Sequence, residues 1–181
     1  VPAVSRVVVV ERVAAMDTLA LRQQVLRPGR PLDESIFPGD DDPRTAHVAA
    51  RVRLEAPELL AHVDEGIVFE GILAVGTVLP EPPPWDAQRP DGWRVRGMAT
   101  RPELRGRGLG GRVLAALLDH VAAGGGGVVW CNARITAVAF YERAGFQRLG
   151  TPFDLPTIGV HQRMWRLVEA DVGPDDRRSE A

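Results

Sequence analysis

Arginine and glycine crowd one short stretch, Arg105-Gly106-Arg107-Gly108-Leu109-Gly110-Gly111-Arg112. A glycine lets the backbone approach a ligand closely, because no Cβ stands in the way. A helix beginning here would offer unpaired N–H groups and a partial positive charge. Together these features make an anion site, and phosphate is the usual anion. Further on, Tyr141 is the chain's one tyrosine and Cys131 its one thiol. A tyrosine can give up a proton, and a thiol can attack once ionised.

The elements that must hold these residues follow from pattern. Trp93 to Thr100 reads as a strand, the fourth in the chain. Leu109, Val113, Leu114, Leu117, Leu118 and Val121 recur at helical spacing, so an amphipathic helix starts inside the glycine-rich stretch. Before it, Ser5 to Val13 reads as a strand, Met16 to Leu26 as a helix with Asp17 near its start, and Leu32 to Phe37 as one helical turn. Pro38 to Pro43 is a loop by every turn signal. Thr45 to Leu54 and Ile67 to Leu79 read as strands two and three, and Ala56 to Asp64 fits either a short helix or an excursion between strands. After the long helix come a strand at Val128 to Cys131, a helix at Thr136 to Ala144 closed by Gly145, and strands at Phe146 to Leu149 and Gly159 to Leu167. The order gives a mixed α/β (α+β) single domain over residues 1–168, with a charged, apolar-poor tail over 169–181.

Two phosphate-binding patterns fail on context. Gly106, Gly108 and Gly111 satisfy G-x-G-x-x-G, but they follow a late strand and lack the acidic residue expected about 20 positions on. Cys131 and Asn132 stand there instead. All 22 basic residues are arginine, so Walker and Schiff-base lysine chemistry are both excluded. A chain rich in Gly, Pro, Ala and Val and without lysine is what a GC-rich bacterial genome would encode.

The pattern that is met is Arg/Gln-x-x-Gly-x-Gly/Ala, by Arg105, Gly108 and Gly110. Here the chain resembles the GNAT superfamily of acyl-CoA N-acyltransferases. Met98-Ala99-Thr100-Arg101-Pro102-Glu103-Leu104-Arg105-Gly106 resembles that superfamily's fourth strand and turn, and Ala137-Val138-Ala139-Phe140-Tyr141-Glu142-Arg143-Ala144-Gly145-Phe146 its following helix. The resemblance is clear over residues 93–167 and coarse before them. It implies a mostly antiparallel mixed sheet of six to seven strands flanked by helices and splayed between strands four and five.

It also implies acetyl-CoA as co-substrate, no metal, and transfer of the acetyl group to a primary amine by direct attack in a ternary complex. A non-catalytic acyl-CoA sensor on the same fold is the alternative. The implied coenzyme A contacts are Met98, Ala99 and Thr100 for the pantetheine arm, and Arg105, Gly106, Arg107, Gly108, Leu109, Gly110 and Gly111 for the pyrophosphate. Arg112 could add charge there. Tyr141 falls at the position of the superfamily's frequent acid, and its ordinary pKa of ~10 lies above that of a thiol.

The sequence departs from the family at two points. Arg94 and Arg96 stand on strand four where many relatives carry a glutamate base, and Arg134 stands where asparagine is common. The base is therefore open among Glu34, Asp40 to Asp42, Asp154, His161 and a relay of water. Cys131 sits beside valines without a recognisable partner and reads as inert.

For the acceptor, two signals compete. Asp33, Glu34, Asp40, Asp41 and Asp42 would attract a cationic amine, whereas Arg22, Arg27 and Arg30 would bind a carboxylate. Trp85 and Trp93 either flank the site or pack. The partner expected is a small-molecule or peptide amine, with oligomeric state left open and a homodimer among the options. A formal net charge of −2 argues against nucleic acid, and no apolar run nears the ~20 residues of a membrane helix, so a cytoplasmic enzyme is the expectation.

Overall fold

The computed structural model describes residues 6–54 and 71–171. Its elements are β1 (Arg6–Arg12), α1 (Ala15–Leu26), β2 (Ala46–Leu54), β3 (Ile72–Pro80), β4 (Gly92–Thr100), α2 (Leu109–Ala123), β5 (Gly127–Arg134), α3 (Val138–Arg143), β6 (Gln147–Leu155) and β7 (Gly159–Val168). Short 3-10 turns cover Leu32–Ser35, Pro102–Leu104 and Ile135–Ala137. Ala56 to Asp64, the first residues proposed for strand three, and most of the 169–181 tail lie outside the described residues.

The strands form one sheet in the order β1-β2-β3-β4-β5-β7-β6. Every neighbouring pair is antiparallel except β4 and β5, which run parallel. That parallel pairing lasts only from Gly92 opposite Val128 to Arg94 opposite Trp130. Beyond it the two strands part, which is the splay expected between strands four and five. The rest of β4 thus keeps unpaired backbone groups along one edge, ready for another hydrogen-bonding partner.

Strand alternation divides the core between the two faces. On one face Val48, Val78, Val95 and Val129 meet Val113, Leu114, Leu117 and Val121 of α2. On the other, Ala49, Val75 and Ala99 meet Leu21 of α1. Fully burying each large apolar side chain contributes about 1.5–3 kcal/mol, so α2 is the main tether of the sheet. α1 is capped as its sequence suggests: the Ala14 N–H donates to the Asp17 carboxylate at 3.1 Å.

β6 runs past the expected Leu149 to Leu155. Its pattern hides this, because Gly150 and Pro152 interrupt it. The strand is at the sheet edge, its pairing with β7 shifts register between Leu149 and Phe153, and an edge with a bulge tolerates proline. No helix among the described residues is long and apolar enough to cross a membrane.

Candidate functional site

The end of β4 is built around a bulge. Arg96 pairs with Thr77 and Ala99 with Val75, so Gly97 and Met98 together oppose Gly76. Gly97 has φ +64°, and a Cβ on it would sit 2.8 Å from Arg22 Nε and 3.1 Å from the Phe37 ring. Only glycine fits, on conformation and on space. The bulge puts Arg96 and Gly97 both on the α1 side and returns Met98 to the α2 side, where it packs on the main core.

After β4 the chain turns through Pro102–Leu104 and enters α2 at Leu109. Gly108 is the N-cap, in the left-handed region at φ +78°. Around Gly106, Gly108 and Gly111 a Cβ would meet nothing within 4 Å, so open space faces the first N–H groups of α2. That is the geometry of an anion cradle at a helix N-terminus.

Turn and splay open into one cleft of about 1290 Å³. This exceeds the ~300–1,000 Å³ usual for drug-sized ligands. Met98, Ala99, Thr100, Arg105, Gly106, Gly108, Leu109, Gly110, Gly111 and Tyr141 all line it. Arg107 is outside this wall, and Arg112 turns away to donate to the Val8 carbonyl at 2.9 Å. Phe140 packs on the core and also reaches the cleft beside Gly110.

Tyr141 is held by its helix. The Phe146 N–H donates to the Tyr141 carbonyl and the Gly145 N–H to Glu142, closing α3 in a Schellman turn. The ring packs edge-on between Phe140 and Phe146, with centroids at 5.0 and 5.3 Å. Its hydroxyl faces the Cys131 thiol. Burial, with Cys131 adjacent, pushes the Tyr141 hydroxyl well above its ordinary pKa of 10.0. Burial likewise pushes Cys131 up to about 12, despite the opposing hydrogen bond from Tyr141. Cys131 is thus a protonated core thiol, as its valine neighbours suggested.

The base candidates separate cleanly. Glu34 pairs with Arg30 at 3.2 Å and reaches Arg27 at 3.7 Å, and Asp42 pairs with Arg44. Asp40 is buried, accepting from both Arg22 Nη groups and from the Phe37 N–H. None of these carboxylates lines the cleft, nor does exposed Asp154. His161 does, at 4% exposure. Its Nδ1 lies 2.6 Å from the Gly159 carbonyl, so Nδ1 carries a proton, and the neutral ring would hold its lone pair on Nε2.

The acceptor options also separate. Arg22 is wholly buried and bound to Asp40, Ser35 and Thr77. Arg30 pairs with Glu34 and lies off the cleft. The acidic loop does not reach the cleft either. Trp93 packs in the core, donating to the Gly126 carbonyl, and Trp85 packs edge-on against Trp130. What the α1 side of the cleft presents is Arg27, Phe37, Arg94, Arg96, Asn132 and Arg134. Strand alternation at Arg94 and Arg96 was the available signal for this wall; their convergence with Arg134 needed the tertiary structure.

Comparison with known proteins then decides the family. The sequence model of the Acetyltransferase (GNAT) family matches residues 30–146. The chain belongs to the GNAT acetyltransferase family. Among GNAT relatives, the uncharacterized N-acetyltransferase YitI of Bacillus subtilis is 26% identical over 160 residues, covering 88% of this chain and 95% of that protein. The ribosomal-protein-S18-alanine N-acetyltransferase of Escherichia coli superposes with a TM-score of 0.62 at 16% identity, over 93% of this chain and 98% of that one. An aminoglycoside 6'-N-acetyltransferase in complex with coenzyme A superposes with a TM-score of 0.57 at 12% identity, over 91% and 99%. These two structures share the GNAT fold with this chain.

Coenzyme A fits the residues present. The glycine cradle has room where phosphates need it. Asn132 Oδ1 is buried on the cleft wall without a hydrogen-bond partner among the described residues, an acceptor suited to an amide N–H.

Proposed function

We propose that the protein is an acetyl-CoA-dependent N-acetyltransferase acting on a primary amine by direct attack in a ternary complex. The observation that carries this reading is the single cleft joining the α2 cradle, the bared edge of β4 and Tyr141. The N–H groups of Arg105 to Gly110 would grip the pyrophosphate, and the β4 backbone from Met98 to Thr100 would pair with the pantetheine amides as an added strand does.

Acetyl-CoA supplies a thioester whose C–S bond breaks as the acceptor nitrogen bonds to the acyl carbon, leaving a thiolate that needs a proton. Attack requires a neutral amine. His161 Nε2 would take the ammonium's proton, directly or through water, and pass it to bulk solvent. A β4 backbone N–H between Met98 and Thr100 would hold the developing oxyanion. The Tyr141 O–H would give its proton to sulfur, and the tyrosinate would recover the proton shed by the newly acylated nitrogen. Amine and thioester thus become amide and thiol with every proton accounted for.

The test begins with thermal shift in acetyl-CoA, coenzyme A and NAD, followed by thiol release across a panel of amines. The expected result is stabilisation by both coenzyme A species and acceptor-dependent thiol release. Stabilisation by NAD alone would refute coenzyme A binding. Binding without thiol release would replace the enzyme with an acyl-CoA sensor. His161→Gln is expected to lower kcat/KM by about 10²-fold or more, with coenzyme A affinity retained.

A further inference from the structure

Seven arginines line the cleft, and no aspartate or glutamate does, among the described residues. Arg105 belongs to the proposed cradle, whereas Arg27, Arg94, Arg96 and Arg134 gather on the opposite, α1 side. Most of that second group is already engaged. Arg94 pairs with Glu81 at 2.9 Å and lies over the Trp130 ring. Arg134 donates to the Leu26 carbonyl at 2.9 Å, and Arg27 has a long contact to Glu34.

Arg96 is different. Its guanidinium lies 4.0 Å from the Phe37 ring centroid, and among the described residues neither an ion pair nor a hydrogen bond occupies its donors. The side chain is half-buried, and desolvation with Arg94 alongside lowers its pKa to about 10, the fields of Glu81 and Asp40 offsetting only part of this because neither carboxylate touches it. Its position is well fixed. Phe37 is pinned beneath it because the Phe37 N–H and Arg22 share the Asp40 carboxylate. A desolvated cation with idle donors, among other cations, is costly unless an anion arrives.

We infer that the acceptor is an amine that also carries a carboxylate, an amino acid or peptide, and that Arg96 receives this carboxylate against the Phe37 wall. The inference rests on the proposed transfer to an amine and names the class of that amine. The Arg96 fork would take the carboxylate in a bidentate pair, with Arg27 and Arg134 adding field, while the amine points to the splay. Such a pair selects by geometry as well as charge, since a neutral amide would leave the guanidinium unpaired.

The experiment is thiol release from acetyl-CoA with matched acceptors: amino acids and dipeptides against their C-terminal amides, on wild type, Arg96→Gln and Arg96→Lys. Coenzyme A affinity is measured by calorimetry on each protein. The expected wild-type preference for the free carboxylate is roughly ten- to a hundredfold in kcat/KM, the range of a charge-assisted hydrogen bond. Arg96→Gln should bring that ratio near one by raising KM for carboxylates, Arg96→Lys should keep part of it, and coenzyme A affinity should not move. Equal or better use of amides by wild type would overturn the inference while leaving the acetyltransferase reading intact. Coenzyme A affinity falling in Arg96→Gln would overturn it too, by assigning Arg96 to a phosphate of the donor. Absence of thiol release with every acceptor, despite coenzyme A binding, would overturn the transfer reading and the inference with it.

Discussion

Burial moves Cys131 and Tyr141 in the same direction with opposite chemical consequences. A thiol raised to about 12 keeps its proton and cannot attack, whereas a hydroxyl raised above 10 keeps the proton it is proposed to donate. Two outcomes follow at this scale. Cys131 should resist iodoacetamide in the folded protein at pH 8 and react once denatured, read by mass spectrometry. Rapid native labelling would contradict the burial. Tyr141→Phe keeps the ring packed between Phe140 and Phe146, so it should lower kcat by about 10²-fold or more and leave coenzyme A affinity nearly unchanged. Unaltered turnover would remove Tyr141 from the reaction.

Elements set where these residues point. The Gly108 N-cap gives α2 its open start, and a β-branched residue at φ +78° is strained by about 1–2 kcal/mol whatever the space around it. Gly108→Val should therefore weaken coenzyme A binding at least about tenfold by calorimetry, and wild-type affinity in that variant would refute the cradle. On the other face, the loop after α1 is held by a buried polar network. The Arg22 fork grips Asp40 and Thr77, Thr77 meets His47 Nδ1 at 2.8 Å, and His47 Nε2–H donates to the Asp40 carbonyl. Removing one charge leaves the other buried alone, so Asp40→Asn should cost about 3 kcal/mol or more in urea unfolding. The same change should loosen Phe37 and with it the proposed acceptor wall.

At the scale of the whole molecule, the splay makes one cleft with arginines at both ends, and the coenzyme A proposed to fill it would be a ligand of the folded state alone. At a concentration 100 times its Kd, a ligand of this kind stabilises by about 2.7 kcal/mol. For a chain of this size that is a rise in melting temperature of roughly 5–10 °C, measurable by scanning fluorimetry. Absence of a shift at saturating coenzyme A would contradict a site made by the fold.

The sequence by itself determined the features that local chemistry controls. Glycine spacing marked the helix start at Leu109, the Phe140-Tyr141 block marked the helix before Gly145, and the succession of strands and helices along the chain followed from apolar patterning. Each of these signals lies within about fifteen neighbouring positions, where periodicity and turn chemistry act. β6 was legible only to Leu149, because an edge strand tolerates glycine and proline, which in sequence mark a break. The acceptor side was not legible. Arg22 and Asp40 read as rival charges for an acceptor, yet they close on each other across 18 positions and are buried. Arg94 and Arg96 lie on β4 and Arg134 at the end of β5, and only the side-by-side placing and parting of those two strands brings them to one wall. Charge type is written residue by residue; which charges cancel and which remain open depends on contacts between distant segments, and those exist only in the folded chain.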